Sequence, residues 1–452
     1  MKQNIARLMV LGALILLCIG QTIMLWLGDI SSHNFFETMG QGTYEQYYVY
    51  PKQLWAFHKY AYNIGDTNGK ESSRRTKLVM ELTDELKREN VQISSNVKVN
   101  YADLLAKDGL IYEYGMPLGL NEIAGKEFKV NNKELNAKVK SIFVDLNSSD
   151  NYKTYVYLIE EGDNISYMLT LNNKLNVHLE TLNYFAKEDN NIVDKYYRAS
   201  IFDNYDNEYF SSNVFYPLNN TDQPIMYNEI VFTPLVIKGD ESVLENKVNC
   251  LFTNPLYKKV KVDENGDIIF NDNLNMSVRY EKRGVLEFRK SVSGSGDRLS
   301  EAQRMNKIYT FIETTEAIPE ELKDGLYLQN IKKDQITGEI SYYFGYEYDN
   351  YDVILDQKIK EEMEIDDFVV LTIKNNEIIR GRWLMLVPRT FNNEIQNFHF
   401  EYNDFKNANL GELSRANGKF DNLECAYTFD SLDNVLRFGW EIPETDMESY
   451  EK

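Results

Sequence analysis

The chain has 452 residues, a net charge of −21 and a pI near 4.8, so it is long enough to bury large cores. Its acidity disfavours nucleic acids and anionic lipid headgroups as partners, because both would be repelled. Only nine prolines and no low-complexity tract argue against a disordered or mucin-like chain.

The N-terminus carries the longest apolar run. Residues Leu8–Leu27 contain no charge, and as a helix they would measure about 30 Å, enough to cross the core of a bilayer. Two cations precede the run and Asp29 follows it, so the positive-inside rule places residues 1–7 in the cytoplasm and residues 28–452 outside. No A-x-A-like triplet follows the run, which favours an uncleaved anchor over a signal peptide or a buried core helix.

The cysteines leave two interpretations open. Cys18 lies inside the apolar run, while Cys250 and Cys425 are far apart and lack the spacing of a metal site. An extracytoplasmic location would permit a disulfide between these two. Their apolar surroundings, VNCLF and LECAY, instead favour thiols that pack as small core residues.

The N-terminal half mixes helices and strands. An extended stretch that turns at Pro51 is expected first, and the spacing of Leu78, Val79, Leu82 and Leu86 predicts an amphipathic helix. The predicted elements are extended structure over Tyr44–Tyr62, a helix over Ser72–Glu89, strands over Lys140–Ile159 and Ile165–Leu171, a helix over Asn172–Ala186, a strand over Tyr227–Ile237, and a helix capped by Asp240 that ends at Leu251.

The C-terminal half is richer in strands. Four short apolar stretches within Phe252–Lys290 predict a β-meander, and Ser291–Arg298 reads as a flexible joint. Ser300 and Gln303 form a capping box before an amphipathic helix. Strands and hairpins follow beyond Gly325, with tight turns expected at Asn375–Asn376 and Ser431–Asn434.

These elements predict an α+β fold. A single N-terminal transmembrane helix should be followed by an elongated, multi-domain extracytoplasmic portion with mainly antiparallel sheets. The predicted boundaries are an N-terminal α+β domain over 35–250, a β-rich central segment and linker over 251–298, and a C-terminal α+β domain over 299–452.

Equipment for catalysis is not recognisable in the sequence. The four histidines, His33, His58, His178 and His399, stand singly, without the spacing of a metal site. Asn63–Ser72 lacks the spacing and the Ser or Thr of a Walker loop, and Asp263–Asp267 suits a hairpin turn better than an EF-hand. Asp366 and Asp367 are adjacent, so as strand residues they would point to opposite faces. We therefore predict no catalytic, metal or cofactor-binding residues, and favour a binding or regulatory protein over an enzyme.

Two stretches carry a resemblance to a known family. The first is Leu251–Tyr280, LFTNPLYKKVKVDENGDIIFNDNLNMSVRY, which has a Leu-Phe-x-x-Pro start, a basic pair and then a turn. The second is Tyr342–Arg389, which is rich in tyrosine. In these stretches and in its layout the chain resembles the YycH (WalH) family of Gram-positive bacteria. Members are membrane-anchored extracytoplasmic regulators of the sensor histidine kinase YycG (WalK). The resemblance implies regulation without catalysis, a YycI-like companion protein as a second partner, and a YycI-like fold for the C-terminal domain.

If the anchor contacts kinase helices, one of its faces should be suited to close packing. Gly12, Leu16 and Gly20 recur at four-residue spacing and are the predicted partner-helix contact. The alternative function is an envelope receptor for a peptide, glycan or cation, with the anchor as a passive tether.

Overall fold

A computed structural model of the chain describes residues 47–58, 60–63, 72–88, 91–95, 97–130, 133–135, 137–146, 152–161, 164–187, 195–198, 215–217, 225–235, 241–272, 275–292, 299–349, 351–398, 424–430 and 436–441. Over these residues the fold is α+β with mostly antiparallel sheets, as the sequence predicts. The predicted anchor, Leu8–Leu27, lies outside the described residues. Within them, no helix is long and apolar enough to cross a membrane.

The first half of the chain builds a nine-stranded antiparallel sheet in the order β11-β10-β2-β1-β4-β7-β8-β9-β3 and a separate β5–β6 ribbon. The strands are β1 (Gln53–His58), β2 (Tyr60–Asn63), β3 (Gln92–Ser94), β4 (Gly109–Gly119), β5 (Lys129–Val130), β6 (Lys133–Glu134), β7 (Lys138–Asp145), β8 (Thr154–Ile159), β9 (Ile165–Leu171), β10 (Lys195–Arg198) and β11 (Phe215–Pro217). The helices are α1 (Ser72–Lys87), α2 (Tyr101–Leu105), α3 (Leu120–Ala124) and α4 (Asn176–Lys187).

Both faces of this first sheet are covered, which explains its continuous apolar runs. Alternate residues such as Leu54 and Tyr112 belong to the main core, together with Leu78 of α1. Their neighbours Trp55 and Ile111 face the other way, into a second core that includes Leu104 of α2.

The second half builds an eleven-stranded sheet in the order β13-β14-β15-β16-β21-β20-β18-β19-β23-β24, in which β17 also pairs with β18. The remaining strands are β12 (Ile225–Pro234), β13 (Lys259–Val262), β14 (Ile268–Asn271), β15 (Met276–Glu281), β16 (Val285–Lys290), β17 (Leu326–Lys333), β18 (Ile340–Tyr348), β19 (Tyr351–Leu355), β20 (Val369–Lys374), β21 (Glu377–Leu384), β22 (Leu386–Phe398), β23 (Glu424–Phe429) and β24 (Arg437–Glu441). The helices are α5 (Glu241–Asn249), α6 (Glu301–Thr314), α7 (Glu320–Lys323) and α8 (Gln357–Met363).

Neighbouring strands of the second sheet are antiparallel except β19 and β23, which pair in parallel. The predicted meander is confirmed as β13–β16, and it joins the C-terminal strands through the β16–β21 pairing. Helix α6 covers the sheet, where Phe311 lies beside Phe288 and Trp383 at ring-centroid distances of 5.7 and 6.3 Å. The indole nitrogen of Trp383 donates to Ala317 O at 3.0 Å.

A long ribbon lies outside the two large sheets. Strand β12 pairs antiparallel with β22, with an irregularity between Asn228 and Ile230. The two strands are separated by about 150 residues of sequence, so this pairing closes most of the second half of the chain into one unit.

Several local predictions are confirmed. The helix predicted over Ser72–Glu89 is α1, and both hydrogen bonds of the Ser300–Gln303 capping box are present at the start of α6. The turn at Asn375–Asn376 has φ angles of 50° and 67°, as a two-residue hairpin requires. The turn predicted at Ser431–Asn434 lies outside the described residues.

Other local predictions are corrected. The single strand predicted over Lys140–Ile159 is two strands, β7 and β8. The helix predicted over Asn172–Ala186 begins only at Asn176, where a carboxylate from α1 caps it. The cysteines, by contrast, follow the favoured interpretation, since no disulfide joins Cys250 and Cys425.

Candidate functional site: the joint between the two sheets

The two sheets approach each other most closely where β4 meets β17. A Cβ atom on Gly115 of β4 would lie 2.7 Å from Leu328 O and 3.2 Å from the Cα atom of Gln329, both in β17. Any other residue at position 115 would therefore push backbone against backbone. We call the contact between the sheets, formed around Gly115, Glu122, Tyr309, Glu347 and Asp352, the joint.

The first described residues run through this joint. We call Tyr47–Lys52 the entry segment; Tyr47 and Val49 are buried in the main core. The Tyr47 hydroxyl donates to Glu122 O at 2.5 Å, on the side of the first sheet. Its ring stacks on Tyr309 of α6, on the side of the second sheet, with centroids 5.7 Å apart and planes inclined by 15°. One side chain thus touches both halves of the molecule.

Two ion pairs fasten the entry segment and α1 to the second sheet. Lys52 Nζ lies 2.6 Å from Asp352 Oδ2 of β19, and Arg75 Nη1 lies 2.7 Å from Glu347 Oε2 of β18. Arg75 also donates to the carbonyl of Pro51, so a single guanidinium binds the entry segment and the second sheet together.

These ion pairs are largely removed from water. The side chains of Glu347 and Asp352 are only 7% and 4% exposed, and those of Arg75 and Lys52 are 19% and 15% exposed. Burial raises the pKa of Glu347, while the charge and hydrogen bond of Arg75 oppose that rise. Removing one partner of such a pair leaves a buried charge uncompensated, which is costly.

A carboxyl pair forms a third link across the joint. Glu122 of α3 hydrogen-bonds to Glu301 of α6. Burial and this bond raise the pKa of Glu122, whereas the same bond lowers that of Glu301, so the two carboxyls share one proton. Gly119 N donates to Glu122 Oε2 at 2.5 Å, and Lys138 Nζ is 3.4 Å from the same oxygen.

A buried Glu-His-Tyr relay is present elsewhere, between α1, α4 and β4. Glu81 Oε2 lies 2.8 Å from His178 Nδ1, and His178 Nε2 bonds to the hydroxyl of Tyr112. Glu81 also accepts from Asn176 N at 2.7 Å and so caps α4. His178 is fully buried, and burial lowers its pKa despite the nearby carboxylate of Glu81. The relay has no exposed reactive nitrogen, and its role is to fix α1 and α4 on the sheet.

The two adjacent aspartates noted in the sequence, Asp366 and Asp367, differ in burial. Asp367 is buried immediately before β20 and accepts from Phe368 N at 2.9 Å, whereas Asp366 is exposed. Burial raises the pKa of Asp367 to about 7, opposed by Phe368 N and Lys360 and reinforced by Asp352. The two carboxylates do not form a site together.

The structure does not test the predicted site residues. Gly12, Leu16 and Gly20, the predicted partner-helix contact, fall outside the described residues, so that contact stays a prediction. Among the residues that the structure describes, no group of three or more His, Cys, Asp or Glu side chains could hold a metal ion.

Sequence reasoning missed the joint itself. Its residues come from parts of the chain that are up to 300 positions apart, as with Lys52 and Asp352. The available signal was the density of aromatic residues in the entry segment, YYVYPK, because so many tyrosines before the first strand indicate a buried stretch.

Comparison with known proteins supports the family resemblance at the level of fold. Neither a protein-family model nor a curated protein matches the chain. Among solved structures, the crystal structure of YycH from Bacillus subtilis is similar, with a TM-score of 0.56 and 13% sequence identity. The match covers 88% of this chain and 94% of that one. The resemblance first drawn from Leu251–Tyr280 and Tyr342–Arg389 therefore holds for the architecture, and this chain has the fold of YycH.

Proposed function

We propose that this protein is a membrane-anchored extracytoplasmic accessory protein that regulates a sensor histidine kinase of the cell envelope. The observation that carries the proposal is the likeness to YycH, which extends over most of both chains. Under this proposal the protein acts without catalysis, and its partners are the kinase and a YycI-like companion protein.

Under this proposal, the joint transmits a displacement of the anchor to the outer portion of the protein. The entry segment follows the apolar run Leu8–Leu27 by about twenty residues, and it is held by contacts to both sheets. A displacement of the chain at Tyr47 would therefore disturb the packing of the two sheets against each other. Coupling of this kind requires only that a partner bind one arrangement of the joint more tightly than another.

Within the anchor, the proposed contact with the kinase is the face formed by Gly12, Leu16 and Gly20. Gly12 and Gly20 lie two turns apart on this face, and glycines let helix backbones approach closely in a membrane. Bulky side chains in place of the two glycines would hold the partner helices apart.

The proposal is tested by changing the anchor face while keeping its hydrophobicity. Gly12→Ile combined with Gly20→Ile is expected to abolish the effect of the protein on kinase output, measured with a reporter gene under the control of the cognate response regulator. Cys18→Ile adds bulk to the opposite side of the same helix and is the control. Normal output from the double variant, at equal membrane abundance, would refute the regulatory role of this face.

Cross-linking supplies a second test that does not depend on signalling. Single cysteines placed along Leu8–Leu27, in a Cys18→Ser background, should capture a sensor kinase or a second single-pass protein with the periodicity of a helix. Capture without periodicity would argue that the anchor is only a tether.

A further inference from the structure

The meander ends in an edge strand that carries the largest exposed apolar side chains of its region. In β13 and the turn before it, Leu256, Tyr257, Val260 and Val262 are 79%, 70%, 52% and 61% exposed. Among the strands that the structure describes, none follows β13 in the order of the second sheet. An open edge strand is a template for pairing with another chain, and lysines on an edge, such as Lys259 and Lys261, disfavour pairing with a strand of the same charge.

The exposed valines continue a face that is buried elsewhere in the sheet. Val260 pairs with Phe270 and Val262 with Ile268, and directly paired residues of antiparallel strands point to the same face. Phe270 is 1% exposed and Ile268 is 8% exposed. The apolar face of the sheet therefore continues onto β13, but its side chains are buried only as far as β14.

The backbone of β13 is also oriented for pairing. Asp263 N donates to Asp267 O at 2.9 Å, which marks a hydrogen-bonded pair at the end of the β13–β14 ladder. Such pairs alternate along an antiparallel ladder, so Lys259 and Lys261 bond to β14, while the N–H and C=O groups of Val260 and Val262 point to the open edge.

The charge on this strand selects the kind of partner. Lys259 and Lys261 lie on the face opposite the valines, in a chain whose net charge is −21. If a second copy paired antiparallel through the same edge with its valines on the same face, lysines would lie beside lysines. Like charges across a strand pair are destabilising, and opposite charges are favourable. A segment with acidic residues on one face and apolar residues on the other would satisfy both faces.

We propose that β13 is a docking strand for an extended segment of another protein, in which acidic residues alternate with apolar ones. The segment would add to the edge of the second sheet, bond to the outward groups of Val260 and Val262, cover their side chains, and pair its carboxylates with Lys259 and Lys261. Leu256 and Tyr257 are further exposed apolar residues, and they lie in the turn Pro255–Tyr257 just before the strand. This inference is independent of the regulatory role proposed above, since the surface lies outside both the joint and the anchor.

The probe for this site is a synthetic peptide, Glu-Val-Glu-Ile-Glu-Val-Glu, used with the full-length chain in detergent micelles. A peptide with lysine in place of every glutamate is the matched control. The acidic peptide should bind at least about tenfold more tightly, as measured by fluorescence anisotropy, and the difference should shrink with added salt. Hydrogen exchange should slow at the amides of Val260 and Val262 on binding.

Two variants separate charge from backbone pairing. Lys259→Glu with Lys261→Glu should reverse the preference, so that the lysine peptide binds better. Val262→Pro removes one outward N–H without removing a bond to β14 and should weaken both peptides, while Val262→Thr keeps that N–H and should retain the charge preference. Equal binding of the two peptides, full binding by Val262→Pro, or a self-associated chain whose β13 amides are already protected would each overturn the proposal.

Discussion

Replacement of Arg75 by leucine tests how much the ion pair between Arg75 and Glu347 contributes to the stability of the protein. The substitution keeps an aliphatic side chain in α1 but removes the cation that faces Glu347 and donates to Pro51 O. Glu347 is buried, so as a carboxylate it would keep only the weaker influence of the Lys52 charge to offset its burial. The group can escape this cost by taking up a proton.

Because Glu347 can take up a proton, the cost of that protonation is an upper limit on the charge contribution to the loss of stability. The ordinary pKa of a glutamate here is 4.5, so protonation at pH 7 costs at most about 3.4 kcal/mol, at about 1.36 kcal/mol per pH unit. The pKa of Glu347 is already raised in the native protein, which makes the charge contribution smaller than this limit. Loss of the bond to the Pro51 carbonyl adds about 1 kcal/mol. We therefore expect a loss of about 2–4 kcal/mol in the free energy of unfolding at pH 7, and about 1 kcal/mol at pH 5.

The sign of the pH dependence is the decisive part. The folded-state pKa of Glu347 rises further in the variant, so its stability is retained at low pH and lost as the pH rises towards that raised pKa. Urea unfolding of the full-length chain, followed by tryptophan fluorescence at pH 5, 6 and 7, measures the difference. Lys77→Leu removes an exposed cation from the same helix and should change stability by no more than about 0.5 kcal/mol. The double variant Arg75→Leu with Glu347→Gln should recover most of the loss; a loss that is independent of pH, or no recovery, would refute the reasoning.

Three further changes test other parts of the joint and the second sheet. Gly115→Ala should lower the melting temperature by several degrees, because its Cβ would meet Leu328 O, and an unchanged melting temperature would contradict the close approach of the sheets. Glu122→Gln should keep a hydrogen bond to Glu301 but make the stability less dependent on pH. The reason is that the raised pKa of Glu122 makes the wild type lose stability as the pH rises from about 4.5. Urea-unfolding stabilities of variant and wild type that change in parallel with pH would exclude a shared proton. Asp367→Asn should also remove a loss of stability, because the wild type loses stability as the pH rises from 3.8 to about 7. The variant should be more stable than the wild type by at most about 4 kcal/mol at pH 7, and this difference should not grow above pH 7. A difference that keeps growing above pH 7 in the same unfolding profiles would contradict the raised pKa of Asp367.

The parts of the fold that sequence could predict are those determined by neighbours along the chain. The spacing of Leu78, Val79, Leu82 and Leu86 is sufficient for α1, and Ser300 with Gln303 is sufficient for the start of α6. The Asn-Asn turn likewise needs only two residues that tolerate positive φ.

The errors arose where two elements of similar character adjoin. Strands β7 and β8 are apolar on both faces, so alternation gave no boundary between them. The run Asn-Ser-Ser-Asp-Asn at residues 147–151 has the composition of a turn and was the available signal. The joint could not be predicted at all, because no local pattern relates Lys52 to Asp352 or Arg75 to Glu347.

The contacts of the joint also bear on how much signal it could carry under the proposed function. A ligand shifts an equilibrium only by its differential affinity for the two states, and 1.4 kcal/mol corresponds to a factor of ten. The loss expected for Arg75→Leu is about 2–4 kcal/mol, so a membrane partner that competes with one such contact would change the population of an altered joint by about 30-fold to 700-fold. Under the proposed function, variants that weaken the joint should therefore alter kinase output.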